Sequence, residues 1–335
     1  MATKDIITIG GSAGSTQVLR SIVADLPADL PASVFVATHV ASGSPGYLAE
    51  LLNAAGPLPA APAVDDQPIE RGRIYVAAPD RHLLVVDGHV RLGAGPRENM
   101  ARPAIDPLFR SAALAHGPRV IGVVLSGMLH DGAAGLSAIK SCGGTAVVQH
   151  PIDAEAEAMP LAALETVAVD HVAPARDIGR LLGELSREEA GECEDPSPSL
   201  ALEVQIAAGA RLGSDALLKI AEPSPLSCPD CHGVLSEVRN QQPLRFRCQI
   251  GHAYDARALA VEHEEIDEAI KVAMRVMEER VTLVSRMAQD ARDTGRAAVA
   301  ELYEGRAAEF AGYAKTLREA ATRTLVADLR RSASG

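Results

Sequence analysis

The stretch IITIGGSAGSTQVLRSIVADLPADLPASVFVATHV, residues 6–40, decides the fold. It opens on the apolar run IITIG, passes through the glycine-rich GGSAGS, continues as a helical pattern over residues 15–24 and ends on a second apolar run, VFVATHV. Continuous β-branched runs suit strands buried on both faces of a parallel sheet, and parallel pairing needs a crossover such as the intervening helix. The alternation continues to about residue 185. RIYVAAP, LLVV, VIGVVLSG, TAVVQH and VAVDHVA read as further strands, with helical stretches at 46–54, 104–115, 133–142 and 161–166. That order predicts a doubly wound, mostly parallel α/β sheet. RIYVAAPDRHLLVVDGHVRL departs from it, because the turn-forming Asp87-Gly88 makes an antiparallel hairpin of its strands.

Composition agrees with this class. Of 335 residues 47% are apolar, yet Trp is absent and there are only four Phe and five Tyr, so the core must be aliphatic. A formal charge of −12 argues against a general nucleic-acid partner. There is neither a run of about eighteen apolar residues nor a leader-like start, so the chain is expected to be cytoplasmic, without membrane insertion. The sequence divides into an α/β domain at 1–185, a linker at 186–225 containing REEAGECEDPSPS and AEPSPLS, a compact cysteine module at 226–256 and a helical hairpin at 257–330.

GGSAGS lies at a strand-to-helix turn. Such a loop either cradles a phosphate or holds an exposed nucleophile where backbone N–H groups can meet an oxyanion. A dinucleotide unit would end its second strand on an acid. Here that strand delivers His39, which can take the proton of the Ser12 hydroxyl. Asp131, in LSGMLHDGAAG after the strand VIGVVL, can fix the His39 tautomer. All three residues fall at carboxyl ends of expected parallel strands, where open α/β sheets build their sites. Taken singly, His39 can be an ordinary strand-end histidine, and Asp131 a cap for the helix starting near Ala133.

At these residues the chain resembles the catalytic domain of the CheB-type chemotaxis protein-glutamate methylesterases. The matching segments are IGGSAGS, ATHVASGSPGYLAELL, GRIYVAAPDRHLLV, RPAIDPLFRSAA, VIGVVLSGMLHDGAAGL and the pair Met159-Pro160, in family order. The resemblance implies Ser12 as nucleophile, His39 as general base and Asp131 as orienting acid, with the Met128 amide at the oxyanion hole and Gly11 and Ala13 in the same loop region. It implies hydrolysis of glutamyl γ-methyl esters on a receptor-like signalling protein, with glutamine deamidation as a second activity and no cofactor for the chemistry. The chain departs from the family at Ser15 and Leu129, where glycines are usual, and its short start predicts no receiver domain ahead of the first strand. The rival reading is a non-catalytic signalling scaffold; a third, nucleotide binding at the glycine loop, lacks the acid after the second strand.

Cys228, Cys231, Cys248 and His252 follow C-x2-C-x16-C-x3-H, a spacing for structural Zn²⁺ in a zinc-ribbon-like module. His232 competes with His252 but directly follows Cys231. Arg239, Arg245 and Arg247 form a modest basic set there. In the tail, Ile270, Met274, Met277, Val281, Val284 and Ala288 make a heptad-like seam, answered by Val299, Leu302, Phe310, Tyr313 and Leu317. Pairing of these faces predicts a helical hairpin, with self-association or a helical partner as a second use. Cys142 reads as a small buried residue and Cys193 as part of the linker.

Overall fold

The computed structural model describes residues 2–332 except 42, 45, 193–195, 212–213, 240–241 and 261–263. Cys193 and the side chain of Ile270 therefore lie outside the described residues. The chain forms two compact units, residues 1–260 and 261–335.

The first unit is built on a seven-stranded sheet in the order β3-β4-β2-β1-β7-β8-β9, every pair parallel. These strands are β1 (Ile6–Gly11), β2 (Ser33–Thr38), β3 (Ala60–Pro62), β4 (Ile74–Val76), β7 (Val120–Val124), β8 (Thr145–Gln149) and β9 (His171–Ala173). The hairpin of β5 (His82–Val86) and β6 (His89–Gly93) stands apart as its own antiparallel pair. Its turn has the backbone the sequence demanded, with positive φ at both Asp87 (48°) and Gly88 (74°). RIYVAAP is thus a parallel strand beside β2 and not an arm of the hairpin.

The alternation of side chains along each strand divides the core. Ile7, Ile9, Val34, Val36, Ile121 and Val123 face helices α1 (Ser15–Asp25), α2 (Leu48–Ala55) and α6 (Ala175–Leu185). Ile6, Phe35, Tyr75, Val124 and Val148 face α3 (Ile105–His116), α4 (Ala133–Ser141) and α5 (Ala158–Thr166). Both faces are covered, which is why the strands read as unbroken apolar runs. The chain runs from β1 to β2, on to the edge strand β3 and back to β4 between them, and then resumes at β7 on the other side of β1. The β1/β7 junction is therefore the topological switch point, whose carboxyl rim opens into a crevice.

The stretch after residue 185 carries α7 (Pro198–Ala208) and α8 (Ser214–Ile220). It leads into an antiparallel sheet of β10 (Ala221–Ser227), β11 (Val234–Val238), β12 (Arg245–Cys248) and β13 (Ala253–Asp255), followed by α9 (Ala256–Ala260). This module belongs to the first unit and joins it through a fully buried ion cluster. Arg245 and Arg247 of β12 meet Glu203 of α7, while Arg247 also reaches Glu98 and Arg110 of the α/β domain pairs with Glu98. Of the modest basic set Arg239, Arg245 and Arg247, the last two are consequently buried in this cluster, while Arg239 is exposed and pairs with Glu222.

The second unit is the helical hairpin of α10 (Glu264–Asp293) and α11 (Ala297–Ser332). Met274, Met277, Val281 and Val284 are half-buried and Ala288 is buried, as the first seam expects. The second seam differs. Val299, Leu302 and Tyr313 are exposed, whereas Ala300, Tyr303, Ala307, Phe310, Ala314 and Leu317 turn inward. Their alternating steps of three and four make the heptad, and the alanines let the two backbones approach closely. Counting only large apolar residues had hidden that seam. No described helix is long and apolar enough to cross a membrane.

Candidate active site

The β1/β2 register pairs Gly11 with Thr38, so Ser12 and His39 are the next residues along neighbouring strands. Such strands stand about 4.8 Å apart, which puts both side chains at one rim beside the switch point. His39 Nε2 lies 2.7 Å from Asp131 Oδ2. With Nε2 committed to the carboxylate, Nδ1 is the ring atom left for a hydroxyl. The Ser12 hydroxyl has no hydrogen-bond partner among the described residues, so the structure joins histidine to aspartate and sets the serine beside them unbound.

Asp131 is buried and held as an anion. Its Oδ2 also accepts the Ile105 amide at 2.6 Å, and its Oδ1 accepts the amides of Asp106 and Gly132 at 3.2 and 3.0 Å. Two of these donors are the first amides of α3, where the helix dipole favours negative charge. Asp131 thus caps α3, while the cap of α4 comes from Asp106, whose Oδ1 accepts Gly132 N at 3.0 Å and Gly135 N at 2.6 Å. Burial opposes the ionisation of Asp131, but the hydrogen bond and charge of His39 and the α3 amides outweigh it and lower its pKa. The reverse holds for Asp106: burial and the Asp131 charge push it up to about 7. Burial disfavours charging His39, yet the Asp131 hydrogen bond and charge, with a smaller contribution from Asp106, leave its pKa raised above 6.5.

Around Ser12 the chain is tightly built. Ser12 N donates to Ser126 O at 2.9 Å, Ser126 Oγ donates to Ala13 O at 2.8 Å, and Ser126 N donates to Gln149 Oε1 at 2.8 Å. The amides of Ala13, next in the chain to Ser12, and of Met128, next to the Gly127 that packs near Ser12 Cβ, find no acceptor among the described residues. Gly11 is paired within β1, and a Cβ there would stand 2.5 Å from Ser15 Cβ, so the serine at the usual glycine position occupies its space. Met159 packs so closely on Gly127 that a Cβ on the glycine would lie 1.9 Å from the Met159 sulfur and 3.0 Å from Ser12 Cβ. Leu129, the second departure, adopts φ 65°, a conformation a glycine would hold without strain.

A cleft of about 410 Å³ opens on the histidine, lined among others by His39, Arg97, Asn99, Met100, Arg102 and Leu129. A larger cavity of about 500 Å³, walled by Arg110, Ser137, Glu203 and Arg239, lies away from the strand ends and from Ser12. Asp106, Asn99, Ser126 and Gln149 are site residues that sequence reasoning missed. For Asp106 a signal existed, since Asp-Pro is helix-start chemistry.

The cysteine module gathers Sγ of Cys228, Cys231 and Cys248 and one ring nitrogen of His252 within 4.8 Å of one another. His252 Nδ1 stands 3.6 Å from Cys228 Sγ and 3.5 Å from Cys248 Sγ, and Cys231 Sγ is 3.6 Å from Cys248 Sγ. Tetrahedral zinc with Zn–S near 2.3 Å and Zn–N near 2.0–2.1 Å has edges of about 3.5–3.8 Å, so the residues fit the ion. Burial and the neighbouring Cys228 push the Cys248 thiol up to about 12, and a bound cation would reverse this. His232 is not in the set; it takes φ 58° at the turn.

The Ser12 hydroxyl, His39 and the helix-capped Asp131 share the rim of the switch point, and fold and rim together define the class, a doubly wound α/β protein with its candidate site at the carboxyl ends of the parallel strands. A family model described as CheB methylesterase matches residues 7–182, and the chain belongs to that family. The chain is 38% identical over 186 residues to protein-glutamate methylesterase/protein-glutamine glutaminase 2 of Anaeromyxobacter dehalogenans, covering 56% of this chain and 54% of that protein. It is 36% identical over 178 residues to a putative enzyme of the same name from Leptospira interrogans, covering 53% and 92%. The crystal structure of the Thermotoga maritima CheB methylesterase catalytic domain superposes with a TM-score of 0.53 at 31% identity, over 55% of this chain and 100% of that one. The chain thus spans about half the length of the first relative and nearly all of the second.

Proposed function

We propose that the chain is a cytoplasmic protein-glutamate methylesterase in which Ser12 is the nucleophile, His39 the general base and Asp131 the orienting acid. The His39–Asp131 hydrogen bond next to Ser12 at the β1/β7 switch point carries this reading. Ser12 Oγ attacks the ester carbonyl carbon as its proton passes to His39 Nδ1. The tetrahedral intermediate collapses, the C–OCH3 bond breaks and methanol leaves with that proton. Water, activated by the same imidazole, then cleaves the acyl-serine and releases a glutamate carboxylate. Glutamine deamidation follows the same steps with ammonia as the leaving group. The Ala13 and Met128 amides supply the oxyanion donors, one such donor being worth about 100- to 1,000-fold in rate. The substrate is a methylated glutamate on a receptor-like signalling protein, whose ester side chain enters the cleft beside His39 while its backbone stays outside.

The cysteine–histidine set holds structural Zn²⁺ in this reading. The metal supplies folding energy to a module whose own core is small, and no step of the ester chemistry passes through it.

The test measures methanol release from a glutamyl-methyl-ester receptor peptide, together with labelling by a phosphonofluoridate mapped by mass spectrometry. Wild type releases methanol and is labelled on Ser12, and Ser12→Ala does neither. Equal hydrolysis by both proteins would refute the assignment and favour the non-catalytic scaffold.

A further inference from the structure

The cysteine module and the catalytic acid share one residue. Asn99 sits at φ 48°, a left-handed backbone position that asparagine tolerates, and is buried. Its main-chain N–H donates to Ala253 O of β13 at 2.8 Å, and its Oδ1 accepts the Asp255 amide of the same strand at 3.1 Å. From the other end of the side chain, Nδ2 donates to Asp131 Oδ1 and to Asp106 Oδ2, each at 3.2 Å. One amide group is therefore fixed on its oxygen side by the module and on its nitrogen side touches both carboxylates behind His39. Next to Asn99, Met100 packs against the module core formed by Cys228, Cys248, Phe246 and Tyr254. Glu98, on the other side, accepts from Arg247 at 3.0 Å, one residue before the ligand Cys248.

We propose that Asn99 is a positioning residue for Asp131, and that strand β13 of the cysteine–histidine module holds it in place. The module is then a working part of the esterase site: its ordered state fixes the amide that fixes the acid. This rests on the assignment of Ser12, His39 and Asp131 above. Asn99 does not touch the reacting ester, so its removal acts on kcat through Asp131 and leaves KM nearly unchanged. The amide also places the positive end of a dipole near Asp131. Removing it strengthens the field of Asp131 at His39, and a carboxylate in its place strengthens that field further. The other charged groups facing the pair among the described residues are Asp106, with Arg110 and Arg245 behind it, His82, and Arg97 and Arg102 across the cleft that His39 and Asp131 line.

The experiment compares wild type, Ser12→Ala, Asn99→Gly, Asn99→Asp and Cys231→Ser. Methyl-ester turnover is measured with the rate of serine-reagent inactivation as a function of pH, whose midpoint reports His39 in the free enzyme. Glycine keeps the positive φ available. Asn99→Gly is expected to lose about 10- to 100-fold in kcat, the effect of a hydrogen bond to a charged group. Its midpoint moves up, and that of Asn99→Asp moves up further. Cys231→Ser, which disorders the module from a distance, lowers kcat and moves the midpoint in the same direction as Asn99→Gly. Should Asn99→Gly fail to fold, Asn99→Asp decides alone. A kcat within twofold of wild type and an unmoved midpoint in the folded Asn99 variants overturn the positioning role. A Cys231→Ser protein with module loss shown by hydrogen exchange but wild-type kcat and midpoint overturns the link to the module. In either case inactivity of Ser12→Ala shows that the triad stands, whereas an active Ser12→Ala takes the triad down first.

Discussion

Replacing Glu203 by Gln tests the ion cluster that joins the module to the α/β domain. Glu203 is wholly buried, with Arg245 forking onto both its oxygens at 2.9 and 3.1 Å and Arg247 at 3.1 Å. Three guanidiniums, Arg110, Arg245 and Arg247, face two fully ionised carboxylates, Glu98 and Glu203, and Asp106 stands 4.0 Å from Arg110. Burial opposes charge on Glu203, but Arg245, Arg110 and Arg247 prevail and hold its pKa at about 2; Glu98 lies below the usual carboxylate range for the same reason. Gln at this position keeps the volume, turns one acceptor into a donor facing an arginine fork and leaves a further buried positive charge uncompensated. Breaking such a pair costs about 3–5 kcal/mol. At about 2–4 °C per kcal/mol for a unit of this size, the melting temperature of the first unit falls by about 6–20 °C.

The assay is urea unfolding followed by circular dichroism, with thermal melts at low and high salt. A buried cluster is barely screened, so the loss should persist at 1 M salt, where the Debye length is about 3 Å. The double variant Glu203→Met/Arg245→Met removes both charges and should recover most of the loss. The pH dependence has a definite sign. Because both glutamates are depressed below their ordinary 4.5, their contribution is fully present above that value and is lost as pH falls toward about 2. A Glu203→Gln protein within about 1 kcal/mol of wild type, or a loss that disappears in salt, would show that water reaches the cluster and that it does not hold the module.

Catalysis should respond to pH through His39. Its raised pKa makes kcat/KM climb through a midpoint above 6.5, as read from a pH–rate profile; the same shift stabilises the fold below 6.5 and fades as pH rises through the folded value. Asp131→Asn, which cannot hold the Nε2–H tautomer, should cost roughly 10⁴-fold in kcat. Asp106→Asn should remain within about tenfold of wild type and lower the His39 midpoint, and equal losses in the two variants would contradict the division of roles. Gly127→Ala drives a Cβ to 1.9 Å from the Met159 sulfur, and the resulting displacement beside Ser12 should cost about 100-fold in kcat with little change in melting temperature.

Much of the sheet was legible because each strand had to be apolar on both faces, and the placement of residues 12, 39 and 131 followed from where those strands end. The cysteine spacing was equally local. Other features depend on partners remote in sequence. Arg247 and Glu98 are 149 positions apart, and no pattern near either indicates that the arginine is buried. Phe310 and Leu317 of the α11 seam were legible, but Ala300, Ala307 and Ala314 escaped because exposed alanines such as Ala298, Ala308 and Ala311 stand among them on the same helix. Asp106 lay in plain view within RPAIDPLF, but its role comes only from its distance to Asp131.

That distance explains how the site keeps one acid charged. Two buried carboxylates that share the Asn99 amide cannot both ionise cheaply, so the environment must separate them. Asp131 has the first amides of α3 and the imidazole, and its pKa falls; Asp106 has the α4 amides but faces the Asp131 charge, and its pKa rises to about 7. Any proton held by the pair therefore rests on Asp106, away from the histidine. In the proposed mechanism the carboxylate that orients His39 therefore stays ionised where His39 works as a base, and the imidazole itself, with the first amides of α3, makes that choice.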